Sequence, residues 1–277
     1  MRHTHRIAKL AGVGSLATLA IPGHATIFDR DDRQYVLPAP GTSYPPIGLV
    51  KHGVFIERRA TGFLVDECHV LTAQAVFGRA PLGQRLKFET AFGTPQHETS
   101  KATVVASGGE HLGRKRGPDE QFAKGGRDWL LLRLDKCLGE RLGYVTLKTG
   151  PYSPHEFGHL ESAGFPDHRD RQSGLTVDPS CRITWRWGTV WLTDCAAVRG
   201  DAGGPIFRIA DSGRLEVYAM QSAAASLRRK AVPLIPMHEN QAVPMSLVAP
   251  QITPYLSANA RRKASQQSLA SQQADAR

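Results

Sequence analysis

The stretch GDAGGPIF, residues 200–207, is a glycine-rich loop that runs directly into an apolar segment. Glycine permits positive φ angles and lets other groups approach the backbone closely. The loop would therefore allow backbone N–H groups on either side of Asp201 to converge on a single point. The stretch leads into the residues Pro205–Ile209, which predict a short β-strand. We expect a site lined by backbone at the start of this strand.

Short β-type runs separated by Gly, Pro and Asp recur along the chain, and no long segment has helical periodicity. This pattern predicts an all-β sandwich or barrel. One short helix is expected near the end of the folded part, over residues 247–256. The predicted strands are Ile47–Val50, Gly62–Val65, Leu86–Phe88, Ala102–Ala106, Trp129–Leu134, Val145–Leu147, Ile183–Leu192, Pro205–Ile209 and Leu215–Met220.

The two ends of the chain differ in composition from the middle. Residues 1–25 pass from a basic start through a small apolar run to Pro, Gly and Ala, which is typical of a secretory signal cleaved after Ala25. The apolar run is too short for the roughly 20 residues that span a bilayer, and a buried N-terminal helix is the alternative. Residues 257–277 are rich in Ser, Gln, Ala and Arg and predict a disordered tail. We therefore expect a secreted or periplasmic protein.

The formal net charge of +10 raises the hypothesis of nucleic-acid binding. The predicted signal and tail carry much of this excess, which leaves about +4 for the folded part, an ordinary value for its size. The densest basic cluster, residues 114–116, lies beside Gly and Pro, where a solvated loop is the alternative to a nucleic-acid contact. We expect a monomer with no nucleic-acid partner, no membrane partner and no cofactor.

The chain has four cysteines, none of them in CxxC spacing. An even number behind an export signal predicts two disulfides, for which three connectivities are possible. Cys181 and Cys195 flank the predicted strand region 183–192, so we pair them with each other and Cys68 with Cys137. The histidines are scattered along the chain, and we expect no metal site.

Three segments far apart in the chain carry residue types that belong to hydrolytic sites. Hydrolysis by a serine needs a hydroxyl, an imidazole that takes its proton and a carboxylate that orients the imidazole. It also needs backbone N–H groups aimed at the developing oxyanion. The segments are ATGFLVDECHVLTAQAVFG (60–78), GRDWLLLRL (126–134) and DCAAVRGDAGGPIF (194–207).

In this order the three segments resemble the motifs of the chymotrypsin-like, trypsin-fold serine proteases. The earlier stretch IFDRDDRQYV, residues 27–36, is similar to the mature start of the bacterial secreted, glutamyl-endopeptidase (V8-like) branch. The resemblance covers residues 27–256 and implies two six-stranded antiparallel β-barrels, one over 26–148 and one over 149–256. It also implies a protein or peptide substrate bound in extended form at the seam between the barrels.

The resemblance assigns each position of a catalytic triad. It places the base at Ala75, the orienting carboxylate at Asp128 and the nucleophile at Ala202, with the N–H groups of Gly200 and Ala202 as the oxyanion hole. His69 lies six residues before Ala75 inside a strand run, so we do not expect it to replace the base. Loss of base and nucleophile removes about six decades of turnover, which predicts an inactive chain.

The same resemblance locates the pocket for the P1 side chain. Trypsin-like enzymes hold a carboxylate six residues before the nucleophile, where this chain has Ala196, followed by Ala197. Glutamyl endopeptidases hold a histidine on the wall strand, where this chain has Gln221, next to Ser222. These residues support neither a basic nor an acidic P1 side chain. We expect a neutral one.

The leading hypothesis is thus a serine endopeptidase that is inactive because two triad positions are alanine. Two alanines within otherwise intact motifs favour deliberate substitution in an active protease. The alternative is a natural pseudoprotease that binds a peptide or a partner protein without cutting it.

Overall fold

The protein folds into a closed β-barrel and a larger β-sheet. The structure is a computed structural model. It describes residues 32–38, 41–53, 57–78, 80–91, 94–109, 126–150, 152, 159–167, 174–222, 240–258 and 265. The predicted signal and the basic cluster at 114–116 lie outside these ranges.

The closed barrel has six antiparallel strands in the order β2-β3-β4-β7-β6-β5. Alternation of exposed and buried residues along β6 shows how one face of a strand is turned to the barrel interior. The interior is filled by branched and aromatic side chains such as Leu64, Phe88 and Leu132. The strands are β2 (Ile47–His52), β3 (Arg58–Leu64), β4 (His69–Thr72), β5 (Arg85–Thr90), β6 (Glu98–Ser107) and β7 (Leu130–Leu134).

The second unit is a nine-stranded sheet with the main order β1-β10-β9-β13-β14-β15-β12-β11, and β8 pairs in parallel with β14. Its core joins that of the barrel, because Phe63 and Leu131 of the barrel belong to the same buried cluster as Phe207 and Val217. The strands are β1 (Gln34–Val36), β8 (Thr146–Leu147), β9 (Leu160–Gly164), β10 (Leu175–Cys181), β11 (Ile183–Trp187), β12 (Val190–Thr193), β13 (Pro205–Ile209), β14 (Leu215–Gln221) and β15 (Asn240–Pro244).

The expected all-β class is confirmed, and the first barrel has the six strands expected of it. The second unit differs from a six-stranded barrel: in the described residues its order runs from β1 to β11 without closing. Two of its strands, β1 and β8, come from the range 26–148 that was assigned to the first barrel. The strands of the two units are therefore not divided at residue 148, the predicted boundary.

Two helices accompany the strands in the described part of the chain. The first, α1, is a single turn at Gly139–Leu142. The second, α2, covers residues 245–258 and packs Val248 and Ile252 into the shared core. It is longer than the predicted 247–256 and extends two residues into the predicted tail, where Ser265 is also helical. No described helix is long and apolar enough to cross a membrane.

Both predicted disulfides form. The Cα atoms of Cys68 and Cys137 are 4.1 Å apart, and those of Cys181 and Cys195 are 4.5 Å apart. The first bond fixes the start of β4 to the loop after β7, and the second closes the β11–β12 hairpin at its base. Two disulfides fit a protein that works outside the reducing cytoplasm.

Candidate active site

Asp128 is a buried carboxylate immediately before β7, and it is held by groups from both units of the fold. Its Oδ1 accepts a 2.6 Å hydrogen bond from the backbone N–H of Ala75, which follows β4. Its Oδ2 accepts a 2.5 Å hydrogen bond from the hydroxyl of Ser222, which follows β14. The side chain is 7% exposed. Two of the three triad positions named from the sequence are therefore in direct contact.

Ala75 is half-buried in the turn after β4, and its methyl group cannot accept a proton as a base would. His69 lies at the opposite end of β4, with its Nδ1 2.8 Å from the carboxylate of Asp66. Burial raises the pKa of Asp66, but the hydrogen bonds from His69 and Cys68 outweigh it and leave the pKa lowered. His69 therefore serves the β3–β4 turn rather than the position of the base.

The loop at 198–204 has a backbone that depends on glycine. Gly200 and Gly203 have φ angles of 104° and 87°, which side chains rarely permit. A Cβ at Gly203 would also lie 2.6 Å from Oγ1 of Thr72 on the barrel. The N–H of Gly203 donates to the carbonyl of Gln221 at 2.7 Å, which joins the loop to β14.

Thr61, fully buried on β3, connects this loop to the barrel. Its N–H donates to the carbonyl of Ala202 at 2.9 Å, and its hydroxyl donates to the carbonyl of Gly200 at 2.9 Å. The same hydroxyl accepts a 2.8 Å hydrogen bond from the N–H of Phe165. The backbone carbonyl of Thr61 accepts a 2.6 Å hydrogen bond from the hydroxyl of Thr72. One threonine thus fixes the carbonyls on both sides of Asp201.

The N–H groups of Gly200 and Ala202 are the two that the sequence assigned to an oxyanion hole. Neither N–H donates a hydrogen bond to a protein group within the described residues. Ala202 is 8% exposed. Buried backbone donors are nearly always satisfied, so two of them in one loop without a partner among the described residues mark a candidate site for an acceptor such as a carbonyl oxygen.

Asp201, between these two residues, is turned into the protein. Its Oδ2 accepts the N–H of Val198 at 2.8 Å and lies 3.1 Å from Nη1 of Arg33. The Arg33 and Asp201 side chains are 5% and 3% exposed. A buried charge is costly unless it is paired. The Asp201 carboxylate is paired with Arg33, which lies 168 residues earlier in the chain.

The residues assigned to a P1 pocket are all buried, on segments that flank the loop. Gln221 donates from Nε2 to the hydroxyl of Ser162 at 2.9 Å, while its Oε1 has no hydrogen-bond partner among the described residues. Ala196 and Ala197 are 6% and 4% exposed. Ser222 was also assigned to substrate binding from the sequence, and its hydroxyl donates a hydrogen bond to Asp128.

Asp178 supports this region and was not singled out from the sequence. Asp178 lies in β10, and its Oδ2 accepts a 2.6 Å hydrogen bond from the N–H of Ala196. Burial raises the pKa of Asp178, although hydrogen bonds from Ala196 and Ser180 oppose the rise. A lone Asp in a strand with Pro179 gives no sequence signal for this role. In the described residues no group of His, Cys, Asp and Glu side chains is arranged to hold a metal ion.

The fold and the site define a β protein of a closed barrel and a sheet that share a core, with a glycine loop and a buried aspartate at their junction. The model of the trypsin-like peptidase domain family matches residues 60–215, more than half of the chain, and the protein belongs to this family. No curated protein matches the chain significantly.

Solved structures agree on the fold. A Glu endopeptidase is similar over 84% of this chain and 100% of its own, with a TM-score of 0.58 and 13% identity. A thermostable serine protease, AL20, from an extremophilic microorganism covers 77% of this chain and 97% of its own, with a TM-score of 0.55 and 17% identity. The protease Anisep from Arthrobacter nicotinovorans covers 77% and 93%, with a TM-score of 0.51 and 15% identity.

Proposed function

We propose that this protein is a secreted serine endopeptidase whose site is complete except for its base and its nucleophile. The observation that carries the proposal is the contact of Asp128 with Ala75. The carboxylate accepts the Ala75 N–H at 2.6 Å, beside the place where an imidazole would extend from Cβ. An aspartate held there has the position that orients a catalytic histidine. As the chain stands, it binds peptides and does not cut them.

The intact surroundings of both alanines favour substitution in a competent site. The loop around Ala202 keeps its positive φ glycines and its hydrogen bonds to Thr61. Asp128 keeps both donors. The glycine loop and the buried carboxylate are the parts of a triad site that do not depend on the two missing side chains, and both are present.

For the substrate, we propose a protein or peptide with a neutral P1 side chain. The carboxylate nearest to Ala196 is Asp178, and it is engaged by the Ala196 N–H and the Ser180 N–H. Gln221, at the end of β14, has the uncharged acceptor Oε1 without a hydrogen-bond partner among the described residues. An uncharged acceptor with small alanines beside it suits an apolar or amide side chain better than a charged one.

The test restores the two side chains together. Casein and a peptide-ester library are offered to the chain, to the single variants Ala75→His and Ala202→Ser, and to the double variant. We expect hydrolysis to rise by several decades only in the double variant, since the triad works as a unit. A fluorophosphonate probe should label the same variant alone, because it needs an activated hydroxyl. A folded double variant that is inert towards every substrate would refute the proposal in favour of a binding protein.

A further inference from the structure

A row of four basic residues crosses four neighbouring strands of the closed barrel. Arg59 on β3 is directly opposite Lys51 on β2. Lys51 is in turn opposite Lys87 on β5, which is opposite Lys101 on β6. Residues that are directly opposite in an antiparallel pair have their side chains on the same face, and the next residue along a strand, such as Phe88, fills the barrel interior. These four residues, the basic row, therefore lie side by side on the outside of the barrel.

The carboxylates that contact the basic row do not balance all of its charge. Nζ of Lys51 and Nζ of Lys87 lie 2.9 and 2.5 Å from Glu89, which has one negative charge against their two. Arg59 is paired with Glu57 at 2.5 Å. The side chain of Lys51 is largely covered, at 14% exposed, whereas that of Lys87 is 51% exposed. The row is therefore positive and partly open to solvent.

The positive charge continues onto the next strand. Arg133 on β7 is opposite Thr103, which is two residues from Lys101 and shares its face. Lys101 and Arg133 are both exposed, and neither forms an ion pair with a carboxylate among the described residues. The hydrogen bond from Arg85 lowers the pKa of Asp135, and the charges of Lys101 and Arg133 lower it further. The potential over this face of the barrel is thus positive.

Such a row has a cost for the fold. Like charges that face each other across strands destabilise a sheet, and a surface that serves solubility alone mixes both signs. Four neighbouring cations therefore indicate a partner of opposite charge. Because the barrel is closed, it has no strand edge that could pair with a peptide backbone. The partner would be held through the charged side chains.

We propose that the basic row binds a linear anionic polysaccharide with a carboxylate or sulfate group on its sugar units. Neighbouring strands are about 4.8 Å apart, which is less than the roughly 7 Å between side chains on one side of an extended peptide. One sugar unit is close in length to the strand spacing, so successive acidic groups can face successive cations. The exposed aromatic residues of the described chain lie outside β2, β3, β5 and β6, so the row lacks the stacking platform that binds single-stranded nucleic acids. This proposal is independent of the proposed function, because no residue of the row belongs to the candidate active site.

Binding of fluorescein-labelled polygalacturonate and heparin to the full chain, followed by anisotropy, is the first measurement. We expect saturable binding at low salt, with a Kd that rises at least about tenfold between ~50 and ~200 mM salt, because bound counterions are released. Poly-L-glutamate and an oligo-dT of matched charge serve as competitors, and they should displace either label only at about tenfold higher concentration. Tighter binding of either competitor than of both polysaccharides would overturn the assignment to a polysaccharide.

Charge-matched variants test whether the basic row is the site of binding. The double variant Lys87→Gln, Lys101→Gln removes two cations of the row and should raise the Kd for the polysaccharides at least about tenfold. The control Arg182→Gln, Arg208→Gln removes two cations of the second unit, whose side chains are 62% and 37% exposed. It should keep the Kd within about twofold of the parent. An equal loss of affinity in both variants would show that net charge alone drives binding and would overturn the proposal.

The variant Lys101→Glu separates loss of binding from loss of folding. It places a carboxylate directly opposite Lys87, and opposite charges that face each other across strands stabilise a sheet. The urea midpoint of unfolding should therefore stay at or above that of the parent, while the Kd rises at least about tenfold. This variant leaves both lysine partners of Glu89 in place, so it decides the question if the double variant does not fold. A parent-like Kd in Lys101→Glu would overturn the role of the basic row.

Discussion

The hydroxyl of Ser222 and Oδ2 of Asp128 lie 2.5 Å apart, although the two residues are separated by 94 positions in the chain. Asp128 belongs to the barrel and Ser222 follows β14 of the nine-stranded sheet. The hydrogen bond therefore crosses the junction of the two units, and it is buried. The carboxylate that we propose as the orienting group of the site is at the same time a structural connection between the units.

Replacing Ser222 with alanine should lower the free energy of unfolding by about 1–3 kcal/mol, because the buried Asp128 carboxylate loses a donor. Urea unfolding followed by fluorescence measures the change. Ser180→Ala, at an exposed serine, is the control and should stay within about 0.5 kcal/mol of the parent. Equal stability of Ser222→Ala and the parent would mean that this hydrogen bond does not hold the units together.

Glu89 makes the stability of the barrel depend on pH. It lies 2.5 Å from Nζ of Lys87 and 2.9 Å from Nζ of Lys51, with His97 nearby at 3.8 Å. Burial raises the pKa of Glu89, but the hydrogen bonds from Lys87 and Lys51 prevail and leave the pKa lowered. Ionised Glu89 therefore adds stability above its unfolded pKa of about 4.3, and this is lost as pH falls through the folded pKa.

Glu89→Gln should accordingly destabilise the protein by about 1–3 kcal/mol at neutral pH. The difference from the parent should shrink below about pH 4 as the parent carboxylate becomes protonated. Denaturant unfolding across this pH range measures both quantities. Glu216→Gln, at a carboxylate side chain that is 16% exposed against 3% for Glu89, should have a smaller effect. A difference that is independent of pH would contradict the assignment.

Removal of the two disulfides should have unequal effects. The Cys68–Cys137 bond closes a loop of 69 residues and the Cys181–Cys195 bond a loop of 14. The loop-entropy relation gives losses of about 4 and about 3 kcal/mol for Cys→Ala pairs. Chemical unfolding of the two double variants measures them. A larger loss for the shorter loop would show that packing within the β11–β12 hairpin, rather than chain entropy, dominates.

Gly203→Ala should be more harmful than a glycine substitution that only strains φ. Gly213 has a φ angle of 76° and open space where a Cβ would lie, so Gly213→Ala should cost about 1–2 kcal/mol from backbone strain alone. At Gly203 the Cβ would also meet Thr72 and Ala73 at 2.6 and 2.7 Å. We expect Gly203→Ala to lose several kcal/mol or to displace the loop. Thermal unfolding of both variants compares them, and equal losses would contradict the steric argument.

The features that could be predicted from the sequence were those with local signals. The strand Pro205–Ile209 has the same bounds in prediction and structure, and the cysteine pairing was correct. The motif segments containing Ala75 and Asp128 are in contact through one hydrogen bond. The strand and the disulfides rest on local signals, which are an apolar β-type run after a glycine-rich loop and an even number of cysteines.

The features that were missed lack such signals. β10 (Leu175–Cys181) is buried on both faces in its first half and carries an Asp and a Pro, so it has no alternating pattern. The predicted strand 183–192 is a hairpin turned at Gly188, which has a φ angle of 56°. The pairing of Arg33 with Asp201 joins charges that only the complete fold brings together.

The hydrogen bonds of Thr61 bear on whether the chain can be divided. Thr61 binds the carbonyls of Gly200 and Ala202 through its hydroxyl and its N–H. A fragment that ends near residue 149 would contain Thr61 but neither of these two partners. The fragment would also carry β1 and β8 without the strands that pair with them. We expect two such fragments to regain the native structure only when mixed, which would make this protein a candidate for reconstitution from complementary halves.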